Sequence, residues 1–183
     1  MKEFGWELLS SELNSDLNIF KVNISKYRNL RNGTILDAVI LDTPDWVNVI
    51  AVTEDNRIIL VEQFRFGAAM KSLEVPAGLI EPGEAHLQAA KRELSEETGY
   101  TSEQWEYLGF VKPNPAFLNN RCHFWLARNV QLTEQPRPDP GENLKVKLIT
   151  SRELKQAVID GKINHSISIA ALSRIFDLRV TQI

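Results

Sequence analysis

The chain has a single cysteine, Cys122, so no internal disulfide can form, and a reducing compartment fits so little sulfur chemistry. Positive charge is not in excess. There are 21 Lys and Arg against 24 Asp and Glu, a formal net charge of −3, which argues against a nucleic-acid or membrane partner. No apolar run approaches the roughly 20 residues of a membrane span. The opening segment, MKEFGWELLSSELN, lacks the continuous apolar stretch of a secretory leader. These absences together lead to the expectation of a cytoplasmic protein. Glycine- and serine-rich linkers, repeats and low-complexity tracts are also missing. What is present is ordinary for a globular protein: 183 residues, 43% apolar and 25% charged, enough for a full core.

Local patterning predicts a β-rich lead-in over residues 1–45. Trp6 to Leu9 reads as a short strand, and Ile19 to Ile24 alternates apolar and polar. Asn32-Gly33 signals a hairpin turn, with Ile35 to Leu41 as the returning strand. Trp46 to Ala51 and Ile58 to Phe64 read as a central hairpin, and Pro76 implies an irregular strand end. Further strands are expected at Trp105 to Val111, Cys122 to Ala127 and Leu144 to Ile149. Thr133 to Glu142, with three prolines, reads as an exposed loop. Thr150-Ser151-Arg152-Glu153 is a capping box for a helix ending near Gly161, and a last helix is expected over Ser166 to Leu178.

The rest of the chain is organised around GLIEPGEAHLQAAKRELSEETGY, Gly78 to Tyr100. Two glycines and Pro82 make its first part a loop. From about Glu84, Leu87, Ala90 and Leu94 recur at helical spacing, and Gly99 suits a helix stop that needs φ > 0. Glu93, Glu96 and Glu97 project from adjacent turns. Like charges so placed cost a helix roughly 0.2–0.5 kcal/mol per pair. An isolated E-x-x-E-E would be read as a solvated face. Clustered carboxylates beside Arg92 equally suit a hard divalent cation such as Mg²⁺.

The full spacing decides between these readings. Gly78, five residues, Glu84, seven residues, then Arg92-Glu93-Leu94-x-Glu96-Glu97-x-Gly99 is the pattern of the Nudix box, with every fixed position filled. The one soft departure is Tyr100, where that family usually carries an aliphatic residue. The chain thus resembles the Nudix hydrolases. The resemblance implies an α/β fold, an α/β/α sandwich around a mixed β-sheet, occupying residues 46–183 behind the β-rich extension 1–45. It also implies Mg²⁺ or Mn²⁺ as cofactor. Glu93 and Glu97 would be the main metal ligands, Glu96 would assist, and the backbone carbonyl of Ala77 would be a further ligand. Arg92 would orient the glutamates, while Glu84 would support the loop–helix unit.

Segments outside the box are similar to the branch that hydrolyses ADP-ribose and nucleoside diphosphate sugars. They are the β-rich extension, which in that branch pairs two subunits; Val61-Glu62-Gln63-Phe64-Arg65; Leu73-Glu74-Val75-Pro76-Ala77-Gly78; Pro115; and Ala170-Ala171-Leu172. This likeness implies a pyrophosphatase of a nucleoside diphosphate sugar, acting as a homodimer. Arg65 would contact the phosphates. Glu142, with Asp139 in reserve, would act from the proline-rich loop as general base or as ligand to an additional ion. Trp6, Tyr27 and Trp46 are candidates for stacking on the base. His86, His123 and His165 have no mutual metal spacing and receive no role. The alternatives are hydrolysis of other nucleotides, such as dinucleoside polyphosphates or oxidised nucleotides, and a non-catalytic sensor. The intact box carboxylates disfavour the sensor.

Overall fold

The computed structural model describes residues 4–179. It divides into two compact units: residues 1–45 with 111–121, and residues 46–110 with 122–183.

The first unit is built on a three-stranded antiparallel sheet of β1 (Trp6–Asp16), β2 (Lys21–Asn29) and β3 (Ile35–Asp42). β1 is far longer than the four residues expected from its sequence. Its apolar–polar alternation is broken by register shifts between Leu8 and Ser10 and between Leu13 and Ser15, which hide a strand from a period-two reading. Asn29 N–H bonds Thr34 O and Gly33 sits at φ 75°, closing the hairpin that Asn32-Gly33 announces. Residues 111–121 join this unit through specific bonds. Leu41 N–H donates to Phe117 O, Asn119 Nδ2 to Asp42 Oδ1, and Arg121 N–H to Asp45 Oδ1.

The second unit carries a mixed sheet in the order β12 (Lys145–Ile149), β5 (Ile58–Arg65), β4 (Trp46–Val52), β10 (Cys122–Arg128), β9 (Gln104–Val111). β6 (Met70–Glu74) pairs with β5, and β7 (Ala77–Leu79) with β4. β4 and β10 run parallel and are buried along almost their whole length, as expected of central strands covered on both faces. A small ribbon joins β8 (Tyr100–Thr101) to β11 (Gln131–Leu132). Val47, Val49, Ala51, Trp125 and Ala127 pack on Ala89, Ala90 and Leu94 of α1 (His86–Thr98). The alternate set, Ile50, Ile58, Leu60, Phe124 and Leu126, is fully buried as well. On that side Arg174 lies 6.0 Å above the Phe124 ring, and α3 (Ser166–Leu172) packs against β4. Burying both faces of one sheet is what makes the architecture layered.

α2 (Ser151–Ile159) opens with the capping box that its sequence signals: Glu153 N–H donates to Thr150 Oγ1, and Glu153 Oε2 accepts from Thr150 N–H. α3 is shorter than expected. It stops at Leu172, and the chain leaves as a turn through Arg174 and Ile175, so Ile175 and Leu178 do not continue an apolar helical stripe. Pro76 interrupts the ladder between β6 and β7, and its carbonyl accepts from Val49 N–H at 2.8 Å. Among the described residues, no helix is long and apolar enough to cross a membrane.

Candidate active site

The loop before α1 is tied by two reciprocal bonds. Glu84 N–H donates to Glu81 O, and Glu81 N–H to Glu84 Oε2, each at 3.0 Å. The helix itself starts at His86, two residues later than its pattern suggests, because Glu84 belongs to this turn. It ends at Gly99, whose φ of 75° is left-handed and whose added Cβ would meet Glu134 O at 2.4 Å.

Arg92 is the hub of the acidic face. Nε and Nη2 donate to the two oxygens of Glu84 at 3.0 and 2.9 Å. Nη1 donates to Glu93 Oε1 at 2.8 Å and to Glu96 Oε2 at 3.2 Å, and Nη2 also donates to Leu79 O at 2.9 Å. These bonds occupy all five guanidinium protons, which lysine could not supply. Arg92 thereby fixes Glu84, Glu93 and Glu96 in one frame, and its pKa is raised, first by Glu84.

Glu93 and Glu97 lie deeper. Glu97 is 2% exposed and its Oε2 accepts from Ala77 N–H at 3.1 Å. Glu93 lies against Gly78 so closely that a Cβ there would fall 2.0 Å from Glu93 Oε1. A glycine at 78 is therefore a steric requirement of the carboxylate's position. Burial pushes Glu93 up to about 7 in spite of Arg92, and raises Glu97 well above the usual carboxylate range, with the Glu93 charge adding to the effect. Glu96, in contrast, has a side chain 40% exposed beside Arg92.

Two adjacent carboxylates whose desolvation outweighs the contact from Arg92 fit a divalent cation. Among the described residues no three His, Cys, Asp or Glu side chains converge into a metal cluster. Glu93 and Glu97, with the Ala77 peptide bonded beside them, are the groups that could hold such an ion. This suits Mg²⁺, which takes one or two protein carboxylates and completes its shell with water and phosphate oxygens.

The same burial predicts a pH signature. Both carboxylates have folded-state pKa values above the ordinary 4.5, so above that pH they hold more protons in the folded chain than in the unfolded one, Glu93 up to about 7. His86 and His165, lowered first by burial, act in the opposite sense. The carboxylates' share of the metal-free protein's stability should be lost as pH rises through that window, by up to roughly 3 kcal/mol for Glu93 alone, and that loss should outweigh the gain from the two histidines. Thermal unfolding in chelator should show a lower Tm at pH 8 than at pH 5, with Mg²⁺ restoring it at pH 8. A flat or rising profile would mean that the carboxylate shifts are outweighed, by compensation of their charges or by His86 and His165.

The proline-rich strap, residues 133–143, is exposed throughout and moored to the end of α1. Thr133 and Glu134 N–H both donate to Gly99 O at 3.1 Å, and Arg137 N–H donates to Glu96 O at 2.7 Å. The carbonyls at a helix C-terminus have no partner within the helix, and the strap supplies them. Beyond the mooring, Asp139 and Glu142 form a self-capped turn: Glu142 N–H donates to Asp139 O, and Asp139 N–H to Glu142 Oε2 at 3.1 Å. The negative charge of Glu142 raises the pKa of Glu93, Glu97 and Arg65, so this loop acid stands in the field of the box.

Arg65, at the end of β5, lies in the field of Glu97 and Glu142 and is held by Glu74 in a two-point ion pair. Trp46 opens β4, half-buried, opposite Leu79 and Cys122. Cys122 is buried, its thiol donating to Asn48 Oδ1 at 3.2 Å, in keeping with an inert core thiol. The sequence reading missed two groupings. His165 lies against Glu74, and His86 stacks on His123 at 4.6 Å between ring centres. Spacing gives no hint of either, because the partners come from different elements.

Residues 43–169 match the model of the NUDIX domain, so the chain belongs to the Nudix family. It is 36% identical over 138 residues to an ADP-ribose pyrophosphatase of Bacillus subtilis, covering 70% of this chain and 75% of that one. It is 34% identical over 144 residues to a methanol dehydrogenase activator of Bacillus methanolicus, covering 78% of each. The fold is also that of a crystal structure of an ADP compounds hydrolase, with a TM-score of 0.82 at 21% identity over 93% of this chain and 91% of the other.

Proposed function

We propose that the protein hydrolyses the pyrophosphate bond of ADP-ribose or a related nucleoside diphosphate sugar in the cytoplasm, giving a nucleoside monophosphate and a sugar phosphate. The observation that carries this reading is the pair of buried, charge-strained carboxylates, Glu93 and Glu97, framed by Arg92 and Gly78. The pyrophosphatase name of the Bacillus subtilis relative supports the substrate class.

A Mg²⁺ or Mn²⁺ ion held by Glu93, Glu97 and the Ala77 carbonyl, with Glu96 assisting, would screen the pyrophosphate charge and acidify bound water. Arg92 keeps Glu93 and Glu96 oriented through the cycle. Arg65 offers guanidinium protons to the phosphates. The carboxylate of Glu142, freed from its turn, takes the proton of the attacking water or serves an additional ion. Water forms the new P–O bond, the bridging P–O bond breaks, and its electron pair leaves with the other phosphate. The strap that carries Glu142 closes over the substrate and excludes bulk water. Trp46 stacks on the base.

The test is a panel of nucleotide sugars, dinucleoside polyphosphates and oxidised nucleotides, each with Mg²⁺ and with Mn²⁺, with products identified. Cleavage of ADP-ribose to AMP and ribose phosphate at the highest kcat/KM supports the reading. Preference for another nucleotide class moves the assignment within the family. A second reading draws on the name of the relative called a methanol dehydrogenase activator. Stimulation of a dehydrogenase, with no turnover on the panel, would favour it.

We also propose a homodimer through the three-stranded sheet. Leu8, Leu13 and Leu36, which the register puts on one face of that sheet, are all more than 40% exposed, as are Ile35 and Val39 on the other face, and exposed apolar side chains grouped in this way suit an interface. Light scattering at micromolar concentration should give twice the monomer mass, and Leu13→Glu with Leu36→Glu should return it to one. A monomeric parent protein would remove the sheet from any interface between copies.

A further inference from the structure

Glu74 closes β6 and is 0% exposed, although it is a carboxylate. An ionised group so placed is tolerated only when paired and hydrogen-bonded. Both of its oxygens are occupied. Arg65 Nε donates to Oε1 at 2.8 Å and Arg65 Nη2 to Oε2 at 2.6 Å, a planar two-point contact. His165 Nδ1 stands 3.2 Å from Oε2 and 2.9 Å from Ser168 Oγ, and that hydroxyl accepts from Val75 N–H at 3.3 Å. The carboxylate is thus fixed by Arg65 and by His165 at the start of α3, and the backbone that leads into the box bonds Ser168 beside them.

The arginine is not enclosed in the same way. Its side chain is 42% exposed while that of Glu74 is 0% exposed. One edge of the fork is committed inward, and Nη1 with its two protons is not engaged by Glu74. The negative charges of Glu97 and Glu142 both act on this guanidinium. A guanidinium at liberty in that field would pair with those acids. It would then compete with any cation for Glu97 and be lost as a phosphate contact.

We propose that Glu74 is a positioning residue: its buried carboxylate clamps Arg65, so that the outer edge of the guanidinium is presented to the substrate's pyrophosphate and does not collapse onto Glu97 and Glu142. This rests on the reading of Arg65 as a phosphate contact. His165 and Ser168 brace the clamp from behind.

The experiment is a double-variant cycle with ADP-ribose as substrate, read as KM and kcat separately and accompanied by Tm. Arg65→Ala should raise KM about tenfold or more, the loss of a charged contact already made in the ground state. Glu74→Gln, which keeps the volume and removes the charge, should raise KM by a similar factor and kcat should change less. The double variant should be no worse than Arg65→Ala alone, because Glu74 acts only through Arg65. A folded Glu74→Gln with wild-type KM, while Arg65→Ala is impaired, overturns the proposal. So does a double variant whose two losses multiply. If Arg65→Ala itself is silent, the phosphate role of Arg65 has failed and the clamp falls with it. Should Glu74→Gln not fold, Arg65→Lys decides. It keeps the charge but cannot span both oxygens of Glu74. A KM raised about as far as in Arg65→Ala supports the clamp, and a wild-type KM overturns it.

Discussion

Replacing Glu97 by Gln is expected to lower kcat by at least about 10²-fold and to leave the fold intact. The residue is 2% exposed, its pKa is raised first by burial, and it accepts from Ala77 N–H. Glutamine keeps the volume and one acceptor for that N–H, so the packing of α1 on β4 has no cavity to absorb. What disappears is a charge able to hold a cation, and a catalytic ion contributes several kcal/mol to charge stabilisation in the transition state. Removing a buried like charge next to Glu93 should hold or raise the Tm measured in chelator. The Tm increase on adding Mg²⁺ should shrink. Turnover near the parent value at saturating metal would reject Glu97 as a holder of the catalytic ion.

Glu142→Gln is expected to have the second largest effect, and it separates chemistry from architecture because the residue is exposed on the strap. Loss of a general base typically costs about 10²–10⁴ in kcat. KM should change little, because the ground-state contacts to the pyrophosphate remain. Tm should stay within a degree or two, since only the Asp139–Glu142 turn loses a bond to a carboxylate. Partial rescue by excess metal would assign Glu142 to an additional ion, and no rescue would assign it as base. Asp139→Asn is the control. A large loss there with Glu142→Gln silent would transfer the role to Asp139, and silence in both would leave the strap acids as solvated charges.

The Nudix box was legible because its information is local. The glycine loop, the helical stripe, Arg92 and the glutamates all lie within one window, and their spacing alone puts the carboxylates on one side of a helix. The capping box of α2 and the Gly99 stop were legible for the same reason. β1 runs well past the four residues its pattern predicts because register shifts break the alternation, and α3 stops short of its pattern because Ile175 and Leu178 keep the helical period past the last helical residue. The sequence placed Arg65 near the phosphates by resemblance but gave no reason for its orientation.

By itself the sequence determined the class of chemistry: the acidic helix, its arginine, and a chain without disulfides or an excess of positive charge. The tertiary structure decided how those charges behave. Only packing α1 against the sheet buries Glu93 and Glu97 and raises their pKa values, since desolvation depends on neighbours from other elements. Only folding sets the strap on the last carbonyls of α1, and with it the charge of Glu142 against the box. The partners of Arg65 and Glu74 come from β5, β6 and the start of α3, and no period within a single segment can encode a contact among three of them.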